Sequence, residues 1–371
     1  MDQSSFESLL ARFAEGKVSD HERRQVESWL TFGRFFGKEY SELELEDKVS
    51  LLAKRLPLAG KGMKLWKVVA AAAALLVVSF GIWMYADFGS TRPGNERYAN
   101  EVSPGTTGAT LTLADGSKIS LAAASSGELA KQAGVVVRKT ADGVLSYEIK
   151  PSDSPTGELG AVNTLSTGNG ETYRVKLPDG SIVHLNAASS LTYTANLLYM
   201  GKRSVALKGE GYFEVAKDKL HPFIVKAAGQ TVEVLGTHFN INAYTEEPLV
   251  KTTLLEGSVR LSAAGGERIL KPGEQALSSG ARLSVKMVDT EEVSAWKSNE
   301  FLFRDDDFKT NMRKIARWYD VEVIYEKDAP LNFNIEGFSS RARNLSFILK
   351  VMEKTGKVHF RVEGKKVYVS K

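Results

Sequence analysis

The residues of this 371-residue chain that could perform chemistry are few and scattered. The chain has no cysteine, which excludes disulfides, thiolate metal sites and cysteine nucleophiles. Its five histidines are too far apart in sequence to form a local pair of metal ligands. They are His21, His184, His221, His238 and His359. We expect each to lie on the surface or to be hydrogen-bonded within a strand, and we expect no metal site.

Two short patterns suggest catalysis only weakly. Ser294 and Lys297 have the Ser-x-x-Lys spacing of penicillin-recognising enzymes, but the chain offers no convincing Ser-Asp-Asn or Lys-Thr-Gly partner. Glu210 and Glu214 are paired carboxylates in a strand-rich region, where a glycosidase role is conceivable but has no further support. The sequence contains no Walker A motif, no dinucleotide fingerprint and no His-Glu-x-x-His motif. We therefore predict that the protein is not an enzyme and needs no cofactor.

One uncharged apolar segment, residues 68–86, dominates the organisation of the chain. As a helix it would span about 28 Å, close to the ~30 Å hydrocarbon core of a bilayer. Trp66, Trp83 and Tyr85 lie near its ends, where aromatic rings favour the headgroup level. We predict a single transmembrane helix over residues 66–86. A buried core helix is the alternative.

The charges that flank this segment are asymmetric. The basic residues before it are Lys54, Arg55, Lys61, Lys64 and Lys67, whereas Arg92 and Arg97 follow it among acidic residues. The positive-inside rule then places the N-terminus in the cytoplasm and the C-terminus in the periplasm. We expect a single-pass protein of the inner membrane.

Residues 1–60 have the pattern of a small all-α domain with three short helices. Gly16 ends the first helix, and Ser19 with Glu22 forms a capping box that begins the second. A third helix is predicted from about Leu43 to Leu56. So small a core is marginal and often gains stability from a partner. The apolar side chains that either bind this partner or simply fill the bundle core are Phe6, Leu9, Leu10, Phe13, Trp29, Leu30, Phe35 and Phe36.

The pattern changes after a polar linker at residues 87–105. Short alternating apolar runs predict an all-β domain at residues 106–290, and the sequence leaves open whether it is a sandwich or a short solenoid. A similar stretch occurs twice, as LTLADGSKISL at 111–121 and VKLPDGSIVHL at 175–185. The central Asp-Gly of each predicts a β-hairpin, because glycine accepts the positive φ of a tight turn.

Glycines are predicted to separate later strands of the β domain. Gly209 and Gly211, for example, lie between predicted strands at Ser204–Leu207 and Tyr212–Val215. The remaining predicted strands of this region are Phe223–Val225, Thr231–Leu235, Phe239–Ala243, Lys251–Leu255, Ser258–Leu261 and Gln275–Leu277.

Residues 298–371 predict a C-terminal α+β module with the order β-α-β-β-α-β-β. The acidic residues 305–307 precede its first helix, where carboxylates are stabilised by free amide groups and the helix dipole. This role explains the acidic triplet better than a metal site does. The third strand is predicted at Phe333–Ile335, and the last two form a hairpin around Gly364.

Several stretches resemble the FecR family. They are LPDGSIVHLNAASSLTY (177–193), GEGYFEVAKD (209–218), PFIVK (222–226), VEVLGTHFNINAY (232–244), TTLLEGSV (252–259) and LKPGEQA (270–276). The family often has tryptophan where this chain has His184, which is a mild departure. The C-terminal module, with RWYDVEV at 317–323, resembles the C-terminal domain of FecR-like proteins from Bacteroidetes. It also resembles the short signalling domain of secretins and TonB-dependent receptors.

The resemblance implies a transmembrane anti-sigma factor or sigma regulator. Residues 1–60 would bind an extracytoplasmic-function sigma factor, and the C-terminal module would contact the signalling domain of a TonB-dependent outer-membrane transporter. An intramembrane protease is a further expected partner. The net charge of +4 gives no case for direct nucleic-acid binding. The alternative function is that of a membrane-anchored periplasmic β protein that binds or cleaves carbohydrate.

Overall fold

The chain divides into two compact units, Met1–Ser90 and Thr91–Lys371. A computed structural model describes residues 12, 34–35, 38–39, 101–132, 135–149, 161–199, 201–304 and 306–371. In the first unit Arg12 is helical, and strand β1 (Arg34–Phe35) pairs antiparallel with β2 (Lys38–Glu39). The rest of the predicted helical domain and the predicted transmembrane helix lie outside these residues.

The second unit is rich in strands. Its β domain consists of β3 (Thr106–Thr107), β4 (Thr110–Thr112), β5 (Lys118–Ser120), β6 (Gly127–Gln132), β7 (Val135–Lys139), β8 (Leu145–Ile149), β9 (Val162–Ser166), β10 (Glu171–Lys176), β11 (Ile182–Leu185), β12 (Ser190–Tyr199), β13 (Lys202–Glu214), β14 (Phe223–Ala227), β15 (Gln230–Val234), β16 (His238–Ala243), β17 (Val250–Glu256), β18 (Val259–Ala263), β19 (Gly266–Leu270), β20 (Glu274–Ser279) and β21 (Arg282–Met287).

These strands form two sheets that share β13. The first sheet has the order β5-β4-β9-β12-β13-β14-β15-β18-β19. The second has the order β6-β7-β8-β10-β11-β13-β16-β17-β20-β21. Residues 202–208 of β13 pair in the first sheet, and residues 209–214 pair in the second.

The inner faces of both sheets contribute to one hydrophobic core. In β10, for example, Tyr173 and Val175 are buried while Arg174 and Lys176 are exposed, as expected from the two-residue period of a strand. Successive hairpins join the two sheets in turn, because β14-β15 and β18-β19 extend the first sheet while β16-β17 and β20-β21 extend the second. The domain therefore has the two layers of a sandwich, with hairpins added alternately to each.

Both predicted Asp-Gly hairpins are confirmed. Gly116 has φ +83° and Gly180 has φ +85° at equivalent points of β4-β5 and β10-β11. In each turn the backbone N–H of the following serine donates to the aspartate side chain, at 2.9 Å for Asp115 and 3.0 Å for Asp179.

The prediction of two strands around Gly209 is wrong, because β13 runs unbroken from residue 202 to residue 214. Gly209 has φ +80°, and a Cβ there would lie 2.8 Å from the carbonyl oxygen of Ala188. Glycine at this position permits a close approach between neighbouring backbones, and it does not end the strand.

The C-terminal module is confirmed in its element order. It contains α1 (Thr290–Ser294), a 3-10 helix (Ala295–Ser298), β22 (Glu300–Phe303), α2 (Phe308–Tyr319), β23 (Glu322–Tyr325), β24 (Gly337–Ser340), α3 (Leu345–Glu353), β25 (His359–Glu363) and β26 (Lys366–Ser370). Strand β22 pairs with β24, while β26 lies between β23 and β25. These elements enclose a second hydrophobic core.

The predicted third strand of the module is misplaced. Phe333 stacks on Phe308 with ring centroids 4.7 Å apart, and Ile335 is buried. The alternation of Phe333 and Ile335 therefore reflects burial in the core of the module and not pairing with a neighbouring strand. The third strand of the module lies further along the chain, as β24. The predicted helix cap is confirmed at Asp307, which accepts a hydrogen bond from the Thr310 N–H at 2.8 Å. Asp305 lies outside the described residues.

Candidate functional site

The C-terminal module lies against the outer face of the second sheet. Cross-strand pairing aligns His184 with Tyr212, Tyr212 with Asn240, Asn240 with Thr253, and Thr253 with Gln275. Side chains in such a row project from the same face of a sheet. Successive residues of a strand point to opposite faces of the sheet, so the apolar residues are buried on the inner face and this row of polar side chains lies on the outer face. The C-terminal module contacts this row.

Glu210 is the buried carboxylate of this interface, with 8% of its surface exposed. One oxygen accepts a hydrogen bond from Asn186 Nδ2 at 2.8 Å, and the other accepts one from Asn240 Nδ2 at 3.0 Å. Both donors are neutral amides, so the negative charge is held by hydrogen bonds and not by a contacting cation.

Arg341 reaches this group from the C-terminal module and is 2% exposed. Its guanidinium donates to Asn186 Oδ1 and to the carbonyl of Trp296, both at 3.1 Å, and lies 3.8 Å from the centre of the Trp318 ring. Burial lowers the pKa of Arg341 to about 10, and the Glu210 carboxylate opposes this shift. Arg341 therefore stays charged at neutral pH.

A second arginine contact lies on α2. Arg317 rests 3.9 Å from the centre of the Tyr244 ring and donates to Glu246 at 2.7 Å. Arg313, one turn earlier, donates to both oxygens of Glu247 at 3.0 and 2.6 Å. Paired bonds of this kind combine charge with a fixed geometry, so they hold α2 in one orientation on the β domain.

Asp306 joins the C-terminal module to the sheet through Lys251 and is also paired with a lysine of its own module. It accepts from Lys251 of the sheet at 2.8 Å and pairs with Lys314 of α2 at 2.7 Å. Burial alone would raise the pKa of Asp306, but the two ammonium groups outweigh burial and hold that pKa far below its ordinary value. Asp306 was predicted only to precede a helix. It in fact forms an ion pair that links the C-terminal module to the β domain.

The Ser-x-x-Lys pattern has a structural explanation. Ser294 Oγ donates to the carbonyl of Thr290 at 2.9 Å, within its own helix. Lys297 instead donates to Glu214 at 3.1 Å and lies 4.1 Å from the Tyr212 ring centre. The two side chains are engaged with different partners, which is not the arrangement of a serine activated by a lysine.

The two glutamates of β13 do not form a catalytic pair. Glu210 and Glu214 are four residues apart on a regular stretch of strand, which separates their backbones by roughly 13 Å. The carboxylates of glycosidases are about 5–9.5 Å apart. Their partners also differ, because Glu214 binds Lys297 while Glu210 binds amides.

The four histidines among the described residues have different surroundings. His184 is packed edge-on against Tyr212, and burial lowers its pKa to about 4, with the attraction of Glu214 opposing the repulsion of Lys297 and Arg174. His221 pairs with Asp218, His238 with Glu256 and His359 with Glu353. Among the described residues no group of acidic residues and histidines could hold a metal ion.

A cavity of about 100 Å³ lies within this interface. Glu210, Asn240 and Asn242 line it from the sheet, and Trp296 and Arg341 line it from the opposite side. The interface is therefore not fully packed between the sheet and the C-terminal module.

The leading segment of the β domain, residues 101–108, is also fixed to the C-terminal module. Val102 accepts a hydrogen bond from the Leu345 N–H at 3.0 Å, and Ser346 donates to Glu101 at 2.9 Å. A Cβ at Gly105 would lie 2.7 Å from the Trp318 ring. The first residues of the β domain are thus held by the last part of the chain.

Sequence reasoning identified some residues of this interface, but in other roles, and it placed its partner-binding candidates elsewhere. Its eight apolar candidates for partner binding lie outside the described residues, except that the backbone of Phe35 lies in β1. Arg341 was missed because a single polar residue between two elements carries no periodic signal. Glu210 was noted only as a member of a carboxylate pair with Glu214, and its role at this interface was not predicted. Arg317 and Trp318 belong to the RWYDVEV stretch, which was the one signal available at this interface.

Comparison with known proteins gives two family matches. The model described as FecR protein matches residues 163–260, and the one described as FecR, C-terminal, matches residues 300–369. None of the curated protein sequences matches the chain significantly.

Two crystal structures of a candidate anti-sigma factor from Parabacteroides distasonis are similar to this chain. The one at 1.65 Å resolution is 27% identical with a TM-score of 0.53, and the match covers 56% of this chain and 98% of that chain. The one at 2.50 Å has the same identity and TM-score and covers 57% and 99%.

Proposed function

The chain belongs to the FecR family, and on that premise we propose that it is an anti-sigma factor of the inner membrane. The observation that carries this proposal is the succession of a FecR match and a FecR C-terminal match in one chain. The similarity to almost the full length of a candidate anti-sigma factor supports it further. This is a regulatory family and not a known family of enzymes.

The proposed arrangement has one membrane crossing. Residues 66–86 span the bilayer, residues 1–60 bind an extracytoplasmic-function sigma factor in the cytoplasm, and the rest lies in the periplasm. The uncharged segment and the excess of lysine before it support this orientation. Within the described residues no helix is long and apolar enough to span a bilayer, and the proposed span lies beyond them.

The C-terminal module is the proposed receiver of the signal. A TonB-dependent outer-membrane transporter would contact this module through its own signalling domain. The ion pair of Asp306 with Lys251 and those of the two arginines of α2 support such a relay, because they join the module to the β domain. The bond from Leu345 to Val102 joins it to the leading segment as well.

Release of the sigma factor requires a change that crosses the bilayer. A single helix transmits a small tilt poorly, so a transition between order and disorder, or cleavage by an intramembrane protease, is the proposed switch. Hydrogen exchange of the full-length protein with and without the signal tests this step. Release from an uncleaved protein with unchanged exchange would contradict it.

The binding of a sigma factor is tested with full-length protein tagged at its C-terminus and solubilised from its native membrane. We expect an extracytoplasmic-function sigma factor to co-purify with it. Trp29→Ser should reduce the recovered sigma factor at least tenfold if Trp29 belongs to the binding surface.

Leu220→Ser is the matched control, because Leu220 is 84% exposed in the β domain and belongs to the periplasmic part. This variant should recover as much sigma factor as the wild type. If the wild type captures no sigma factor and instead binds saccharide tightly, the carbohydrate-binding alternative replaces the proposal.

A further inference from the structure

Strand β21 ends the second sheet, and only one of its two sides is paired. It pairs with β20, and no other strand of the described residues pairs with it. All but one of its residues are exposed. Of the other strands that end the two sheets, β5 and β19 are shorter, and β6 has a register shift. A long and regular exposed edge is the kind to which another chain can add a strand.

The backbone of β21 alternates in the direction of its hydrogen-bonding groups. Ser279 and Arg282 pair across a two-residue turn, and the pair that closes such a turn is hydrogen-bonded. Every second residue from Arg282 onwards therefore bonds to the neighbouring strand. Val288 fits this series, because its N–H donates to the Gly273 carbonyl at 2.9 Å. The residues in between direct their N–H and C=O groups to the free edge.

Val285 and Met287 are the residues that stay open at this edge. Leu283 precedes them in the series, but a Cβ at Gly265 would lie 2.7 Å from its nitrogen, so the preceding hairpin approaches it closely. Val285 lies opposite Ala276 of the core, which places these side chains on the inner face of the sheet. Nevertheless Val285 is 38% exposed and Met287 is 69% exposed, because no further hairpin of the β domain follows. The edge thus combines unpaired backbone groups with exposed apolar side chains.

Basic side chains surround the same edge. Arg282 and Lys286 lie on the outer face of β21, which contains no acidic residue. Arg268 lies in β19, whose hairpin meets that of β21 where Gly265 approaches Arg282. None of these three cations forms an ion pair among the described residues, whereas Arg260 in the next strand does. The surface is therefore complementary to negative charge.

We propose that β21 binds an extended acidic segment of a partner protein, which adds to the second sheet as one more strand. Backbone hydrogen bonds to Val285 and Met287 hold the segment, as in other cases of strand addition. Side chains of a strand alternate between faces, so apolar residues of the segment would contact Val285 and Met287 while its carboxylates lie near Arg282 and Lys286.

A second copy of this chain fits the edge less well. Pairing β21 with itself would bring Arg282 and Lys286 of the two copies close together, and like charges on paired strands repel. The proposed surface belongs to the β domain. It is independent of the contact proposed between the C-terminal module and a transporter, and of sigma-factor binding by residues 1–60.

Fluorescence anisotropy on the full-length protein in an uncharged detergent tests the proposal. The probe is a labelled peptide of sequence Glu-Val-Glu-Val-Glu-Val, and the matched probe has lysine in place of each glutamate. We expect saturable binding of the acidic peptide, at least about tenfold tighter than that of the basic peptide and weaker at high salt.

Two variants locate the binding site. Val285→Pro removes an N–H of the free edge but no bond to β20, so it should weaken binding at least about tenfold with little change in Tm. Ile269→Pro is the matched control, because Ile269 has the same alternate position in the end strand β19, and it should bind as the wild type does. Arg282→Glu with Lys286→Glu should reverse the preference towards the basic peptide, and it decides the question if Val285→Pro does not fold.

Four results would overturn the proposal. They are no saturable binding of the acidic peptide; equal binding of the two peptides; unchanged binding by both edge variants; and a dimer in analytical ultracentrifugation that Val285→Pro dissociates, which would assign the edge to a second copy. Sigma-factor capture can succeed or fail without changing any of these measurements.

Discussion

Individual polar residues of the interface derive their properties from what surrounds them. Glu210 is hydrogen-bonded to two amides, whereas Asp306 is paired with two ammonium groups. The two ammonium groups hold the pKa of Asp306 far below its ordinary value against the effect of burial. Residue type alone therefore could not predict which acidic side chain would make an ion pair.

His184 is expected to make the protein less stable in weak acid. Its pKa falls from 6.5 to about 4 on folding, so between these values the unfolded chain binds a proton that the folded chain does not. Stability should then decrease as the pH falls from about 6.5 to about 4, by at most about 1.4 kcal/mol per pH unit. His184→Phe keeps an aromatic ring beside Tyr212 and should remove this slope. Urea denaturation at several pH values measures it.

His359→Phe is the control for this measurement, because the His359 side chain is 48% exposed. It should retain the slope of the wild type. A slope that persists in His184→Phe would show that other groups cause the acid sensitivity.

Secondary-structure elements could be predicted where local signals determine them. The Asp-Gly turns and the capped helix α2 depend on neighbours in sequence, and both were predicted. The path of β13 through Gly209 depends on Ala188, which lies far away in sequence, and it was not predicted. The alternation at Phe333–Ile335 was misinterpreted because burial against Phe308 imitates the pattern of a strand.

Gly209→Ala should be much more destabilising than Gly116→Ala. Both glycines have φ near +80°, which costs an alanine roughly 1–2 kcal/mol. At Gly209 the new Cβ would also lie 2.8 Å from Ala188 O, whereas at Gly116 nothing lies within 4 Å. We expect losses of more than ~3 kcal/mol and about 1 kcal/mol, respectively, in the free energy of unfolding. Equal losses in urea denaturation would mean that the close approach contributes nothing.

The second unit as a whole has two hydrophobic cores joined by a polar interface. Strand patterns indicated which faces are buried, and so predicted a β domain followed by an α+β module. They could not indicate that hairpins alternate between two sheets, because this depends on pairing between strands distant in sequence. For the same reason the choice between a sandwich and a solenoid stayed open until the pairing was seen.

Breaking the polar interface should separate the unfolding of the two cores. The triple variant Asp306→Asn, Arg317→Met and Arg341→Met removes three of the charged contacts between the module and the β domain and replaces no residue of either hydrophobic core. We expect one calorimetric transition of residues 101–371 in the wild-type chain and two in the variant, the lower one from the C-terminal module.

The control carries the same three kinds of change at exposed positions of the second unit. These changes are Asp142→Asn, Arg282→Met and Arg343→Met. The control should unfold like the wild type. A single transition in the interface variant would show that these three residues are not what couples the unfolding of the two cores.

The attachment of residues 101–108 to α3 has a consequence for the order of synthesis. Val102 and Glu101 find their partners at Leu345 and Ser346, near the end of the chain. These first residues leave the ribosome early, but their contacts can form only after residue 346 has also emerged. At ~5–20 residues per second this interval lasts on the order of tens of seconds. Newly made protein would therefore pass through a stage in which the β domain is present but Glu101 and Val102, which precede its first strand, have not yet found their partners.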